Sequence, residues 1–112
     1  MADGCVFCRI VAGEIPAEVV HEDADVVAFR DSAPAAEVHV LVVPRRHVRD
    51  VVALAADGAL LGALVRAAGR VADDLADGQF RLVFNTGEAA GQTVFHAHGH
   101  VLAGARASSG GL

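Results

Sequence analysis

The run Gly91-Gln92-Thr93-Val94-Phe95-His96-Ala97-His98-Gly99-His100-Val101-Leu102 constrains this chain more than any other stretch. It holds three of the chain's six histidines, at positions i, i+2 and i+4. Val94, Phe95, Val101 and Leu102 favour a strand, and Gly91 and Gly104 punctuate its ends. Side chains alternate faces along a strand, so His96, His98 and His100 are expected to line one side, about 6.6 Å apart in succession. A single histidine there would be an ordinary surface residue. Three in strict alternation make a row of imidazoles able to donate, accept, bind a metal or attack an electrophile.

The rest of the chain must build a scaffold for that row from modest material. A length of 112 residues suits one domain spanning 1–112 with a single core. Hydrophobic residues make up 54% but aromatics only 4%, so the core is assembled from many small Ala and Val side chains. A small domain of this kind often gains stability from a metal or from dimerisation. No apolar stretch reaches the roughly 20 residues of a membrane span. Met1-Ala2-Asp3-Gly4 has neither the basic nor the apolar region of a signal peptide, which points to a cytoplasmic protein with no membrane partner.

Net charge is −5, and all nine basic residues are Arg. Arg45, Arg46 and Arg49 form the only basic cluster. Binding to a nucleic-acid backbone draws on many cationic contacts, so the composition disfavours that class of partner and no nucleic acid is expected, whereas a small phosphate-bearing ligand fits. The two cysteines lie in Cys5-Val6-Phe7-Cys8. A cytoplasmic location argues against a structural disulfide. A redox pair, half of a zinc site and two buried small hydrophobes all stay open. The redox reading is the weakest, because thioredoxin-type motifs follow a strand and open a long helix. Half of a zinc site needs two further ligands, drawn largely from His or carboxylates.

Taken in order, Cys5 to Val11 predicts a short helix ending near Gly13. Val19–His21 and Asp25–Phe29 predict strands joined by a hairpin, and Val38–Val43 a strongly apolar strand stopped at Pro44. Asp57 to Asp74 predicts the long helix: Leu60, Leu64, Ala68 and Val71, with Leu75 just beyond, recur at helical spacing, with Asp57 as N-cap and Gly78 as stop. Phe80–Phe84 and the triad run complete five strands, and residues 105–112 read as a flexible tail. Short connections favour an antiparallel sheet with a helix on one face, an α+β fold.

His96-Ala97-His98-Gly99-His100-Val101-Leu102 resembles the His-X-His-X-His-X-X motif of the histidine-triad (HIT) superfamily, with Ala97 and Gly99 smaller than the usual hydrophobic X. Cys5–Ile10, Gly13–Ala17, Val27–Asp31, His39–His47, Val83–Gly87 and Gly91–Val94 look, in the same order, like segments of its Hint-like branch. The resemblance implies a five-stranded antiparallel sheet with one short N-terminal and one long helix, paired into a homodimer. It implies a nucleotide-binding hydrolase that cleaves purine nucleoside 5′-phosphoramidates or related conjugates to the nucleoside monophosphate.

The family's nucleophile falls on His98, with the backbone carbonyl of His100 implied as the acceptor that fixes its tautomer. The resemblance assigns phosphoryl contacts to His100, His39, Asn85 and backbone N–H groups in the Gly91-Gln92 segment. Thr93 falls beside the leaving group and Asp31 on the ribose hydroxyls. Phe7, Ile10, Phe29 and Leu41 correspond to the apolar walls around the base. Many HIT proteins with the Cys-X-X-Cys pair bind structural zinc, and the ligand set carries over to Cys5, Cys8, His47 and His96. No organic cofactor is expected. Two departures stand out: Arg30 where Hint proteins often carry His, and a tail without the Trp of eukaryotic Hint proteins.

Three other readings compete. One is a dinucleoside polyphosphate hydrolase of a sister branch, and another a non-catalytic nucleotide-binding or interaction module. The third is a catalytic zinc on the triad. It strains geometry, since the first and third histidines of an ideal strand lie about 13 Å apart.

Overall fold

The computed structural model describes residues 4–108. The elements are α1 (Val6–Val11), β1 (Val19–Glu22), β2 (Val26–Arg30), β3 (Val38–Pro44), α2 (Val51–Leu54), α3 (Gly58–Ala76), β4 (Arg81–Val83) and β5 (Gly99–Ala103), with a 3-10 turn over Glu88–Ala90. The strands form one antiparallel sheet in the order β1-β2-β3-β5-β4. This is the α+β sheet that the sequence predicts.

Local chemistry sets most boundaries. Asp57 caps α3 by accepting the Leu60 N–H at 3.1 Å, and Asp77 ends the helix in the left-handed conformation just before Gly78. At the β1–β2 turn, Asp23 Oδ1 accepts the N–H groups of Asp25 and Val26 at 2.8 and 2.9 Å, an Asx-type closure. α2 was not foreseen: four residues are too few to show helical periodicity. The readable sign was Asp50, whose carboxylate accepts the Ala53 N–H at 2.8 Å as an N-cap. Of the tail, residues 109–112 lie outside the described residues. Residues 105–108 form turns, with Glu37 N–H on the Ala105 carbonyl at 2.9 Å. Among the described residues, no helix is long and apolar enough to cross a membrane.

The central strands are buried on both faces. Val26, Ala28, Val40, Val42 and Val101 point to α3, where Leu64, Ala67, Ala68 and Val71 meet them. The opposite face carries Val27, Phe29, Leu41 and Val43, and α1 lays Phe7 and Ile10 against it. α1 thereby covers the sheet face that the long helix leaves open.

The triad run departs from the expected strand. Only His100 lies within β5, while His96 and His98 sit in a bent approach to it. β4 ends at Val83 and offers no partner further along. The approaching segment bonds elsewhere, with the Ala97 N–H on the Val48 carbonyl at 2.6 Å. The small residues of the motif have partners in the packing: Ala97 is buried in the α3-side core, and Leu82 and Phe84 occupy the space over Gly99. A Cβ on Gly99 would come within 2.9 Å of Leu82 Cδ1 and 3.1 Å of Phe84 Cζ. Gly99→Val is therefore expected to destabilise the fold by about 1–3 kcal/mol through overpacking, measured as a lower urea midpoint at unchanged slope.

Candidate active site

Between α1 and the sheet lies a cavity of about 710 Å³, roughly twice the volume of either cleft beside Arg45 or Arg66. Phe7, Ile10, Phe29 and Leu41 supply apolar wall, and Asp31, Thr93, His98 and His100 supply the polar groups. Val6, Ile15, Pro16, Ala17, Glu18, Arg30, Ser32 and Val94 line it as well. Apart from Arg30, which the resemblance set beside the base, sequence reasoning gave these no binding role, although Ile15-Pro16-Ala17 matches the family in order. That match was the signal available for them.

The hydrogen bonds around the histidines fix where each proton sits. Ala35 N–H donates to His39 Nδ1 at 3.0 Å, so a neutral His39 carries its proton on Nε2. That nitrogen lies 2.9 Å from His100 Nδ1 and 3.4 Å from Asp31 Oδ2. His100 therefore accepts at Nδ1 and carries its own proton on Nε2, ready to donate into the cavity. His39 is buried behind His100 and does not line the cavity.

His98 has the opposite polarity. Its Nδ1–H donates to a backbone carbonyl at 2.8 Å, which leaves the Nε2 lone pair to the cavity. The acceptor is the carbonyl of His96, not that of His100. Because the chain is bent at His96 and enters the sheet only at Gly99, the preceding carbonyl reaches the ring. The rings of His98 and His100 stand 5.1 Å apart. A lone pair and an N–H donor thus face one space.

Burial keeps these rings neutral. Desolvation pushes His98 below the usual imidazole range, against the opposing pull of the His96 carbonyl and the Asp31 charge. His39 is lowered by burial, with Asp31 again opposing. His100 falls to about 4 through burial and then the charges of His98 and His39.

His96 points elsewhere. Its Nε2–H donates to the Pro44 carbonyl at 2.8 Å, so its Nδ1 carries a lone pair. That lone pair meets Cys5 Sγ at 3.5 Å, Cys8 Sγ at 3.5 Å and His47 Nδ1 at 3.2 Å, with Cys8 Sγ 3.3 Å from His47 Nδ1. All four donor atoms lie within 4.8 Å of one another. Zinc–ligand bonds of 2.0–2.3 Å would give a tetrahedron with edges of roughly 3.3–3.8 Å. The cluster fits a four-coordinate ion, and its converging lone pairs call for a cation. Asp31, His39 and His100 also converge, but there the 2.9 Å contact between the two rings is a hydrogen bond.

Asn85, Gly91 and Gln92 lie on the loop beyond β4 and do not line the cavity. Gly91 N–H donates to the Glu88 carbonyl and Gln92 N–H to the Gly87 carbonyl, both at 3.0 Å. The buried Gln92 amide bonds Gly87 N–H at 2.8 Å and the carbonyls of Arg49 and Val94 at 2.9 and 3.1 Å. These groups hold the loop in shape and so place Thr93 and Val94 on the cavity wall. Local pattern could not distinguish such a staple from a ligand contact.

Comparison with known proteins agrees with this geometry. Residues 12–107 match the family model of the HIT domain. A HIT-like protein of Synechocystis is 48% identical over 106 residues, covering 93% of each chain. The purine nucleoside phosphoramidase of Escherichia coli K12 is 36% identical over 107 residues, covering 93% of this chain and 90% of its own. A HIT family hydrolase from Clostridium thermocellum superposes with a TM-score of 0.89 at 41% identity, over 100% of this chain and 98% of its own. A match through almost the whole chain, together with three histidines in separate structural roles, makes this protein a member of the HIT family.

Proposed function

We propose that the protein hydrolyses purine nucleoside 5′-phosphoramidates or related nucleotidyl conjugates to the nucleoside monophosphate, through a nucleotidyl-His98 intermediate. The observation that carries this reading is the hydrogen bond from His98 Nδ1 to the His96 carbonyl, which leaves Nε2 as a neutral nucleophile on a nucleotide-sized cavity. The name of the E. coli relative accords with it.

In this mechanism the base lies among Phe7, Ile10, Phe29 and Leu41, and the ribose hydroxyls donate to the Asp31 carboxylate. His98 Nε2 attacks the α-phosphorus while His100 Nε2–H donates to a phosphoryl oxygen. His39 acts behind His100 by holding it in the donor tautomer. As the bond to the leaving nitrogen breaks, the Thr93 hydroxyl passes its proton to the departing amine and takes one in turn from water in the cavity. Water then displaces His98 from phosphorus and releases the monophosphate. Gly91 and Gln92 shape the Thr93–Val94 wall.

Zinc is assigned to Cys5, Cys8, His47 and His96. When bound it supplies a closed four-ligand crosslink. The reading also includes a cytoplasmic homodimer. β4 is a sheet-edge strand, with the exposed Phe80 just before it. Light scattering is expected to give about 23 kDa, twice the 11.5 kDa of one chain.

On adenosine 5′-phosphoramidate, His98→Ala is expected to lose at least about 10³-fold in kcat while the circular-dichroism spectrum is retained. Equal AMP release by both proteins would sink the nucleophile assignment. His39→Ala, which frees His100 to change tautomer, is expected to lower kcat by roughly 10²-fold with a smaller change in KM.

Because burial pushes His98 below the usual imidazole range, the acid limb of kcat/KM is expected at lower pH than for a free imidazole. Linkage has a definite sign. His100 binds fewer protons folded than unfolded between about 4 and 6.5, so stability falls as pH drops through that window. Thermal melts across it are expected to show a loss that His100→Gln reduces.

A further inference from the structure

Three segments far apart in sequence meet at the Cys5–Cys8–His47–His96 cluster: the first turn of α1, the stretch leaving β3 and the bent approach to β5. α1 has only 6 residues, too few to hold helical shape without tertiary support. Yet it carries the Phe7 and Ile10 walls of the cavity. Cys5 caps this helix by accepting the Cys8 N–H at 3.3 Å. The Phe7 ring stands edge-on to His98 at 5.0 Å, to Phe29 at 5.5 Å and to His96 at 6.1 Å.

His96 is held at three points. Its Nδ1 faces the cluster, its Nε2 donates to Pro44, and its carbonyl accepts from His98. A cleft of about 450 Å³ beside Cys5 and His47 shares Val6, Thr93 and Val94 with the main cavity. One contiguous set of contacts therefore joins the four donor atoms to the base wall on one side and to the reacting imidazole on the other.

We propose that the Cys5–Cys8–His47–His96 cluster, loaded with a divalent ion, positions the active site: it sets the fit of α1 over the base and the aim of His98, with His96 as the positioning residue. This rests on the metal and nucleotide readings given above. An ion that only supports the fold has no cause to respond to ligand. An ion that shares this path binds in linkage with the nucleotide, each tightening the other by the same factor.

The test uses the full chain loaded with cobalt(II), titrated with AMP and followed by the visible absorption of the ion. The expected result is stoichiometric cobalt whose spectrum shifts as AMP saturates. AMP affinity is expected to fall about 10-fold or more in chelator-stripped protein and in Cys8→Ser, with kcat falling as well. If the stripped protein or the variant does not remain folded, the loaded wild type decides alone. Stoichiometric cobalt with bound AMP and an unmoved spectrum overturns this proposal and leaves the other two readings standing. Failure to take up cobalt overturns the metal reading and the proposal with it. Cobalt uptake without AMP binding overturns the nucleotide reading, and again the proposal.

Discussion

The antiparallel pairing of β3 with β5 is the interaction on which the rest depends. Its register sets Leu41 opposite His100 and His39 opposite Leu102, which puts both histidines on the face away from α3. Val40 opposite Val101 sends the intervening residues into the main core. A slip of one residue would turn His100 into the α3 interface and present an apolar side chain to the cavity. The apolar packing and the chemistry therefore specify the same register. The mid-sheet position adds to this, because β2 and β4 fix β3 and β5 from outside.

Burial does the electrostatic work on that frame. An imidazolium is costly in a poorly solvated cavity, so the rings are held neutral, and a neutral ring has one donor and one acceptor. Each backbone contact then has a directional effect. Ala35 N–H makes His39 an acceptor at one end and hence a donor at the other, and His100 passes that polarity to the cavity. The His96 carbonyl imposes the reverse on His98. Two neighbouring histidines acquire complementary roles, one presenting a lone pair and the other an N–H, through backbone contacts of opposite polarity. Asp31 sits where it opposes the lowering of all three pKa values, and burial still prevails.

Small side chains are what make the site compact. Gly99 lets Leu82 and Phe84 close over β5, and Ala97 lets the bent approach segment tuck into the α3-side core. α1, a six-residue helix bearing part of the cavity wall, is held to the sheet by few side chains, with Ile10 and Val11 packed half-buried beside Phe7. Phe7 is its one buried residue. The sulfur and imidazole donors at its first turn supply a convergence point that packing alone does not.

The sequence by itself determined most of the element types, α2 and the bend before β5 apart, and the cast of chemical residues. Apolar periodicity marked α3 and the central strands, and five strands with short connections implied the antiparallel sheet. The ordered motifs singled out His98, Asp31, the Phe7 and Phe29 walls and the Cys2His2 set. Only the tertiary structure decided direction and distance. Alternation along an ideal strand put three histidines in one row, but the bend before Gly99 turned His96 to the cysteines and made its carbonyl the partner of His98. His39 and Gln92 looked like ligand contacts, yet one supports His100 from behind and the other holds a loop. Those distinctions depend on which donor meets which acceptor across the fold. A periodic pattern records which face a residue shares, and it carries no information about hydrogen-bond partners distant in the chain.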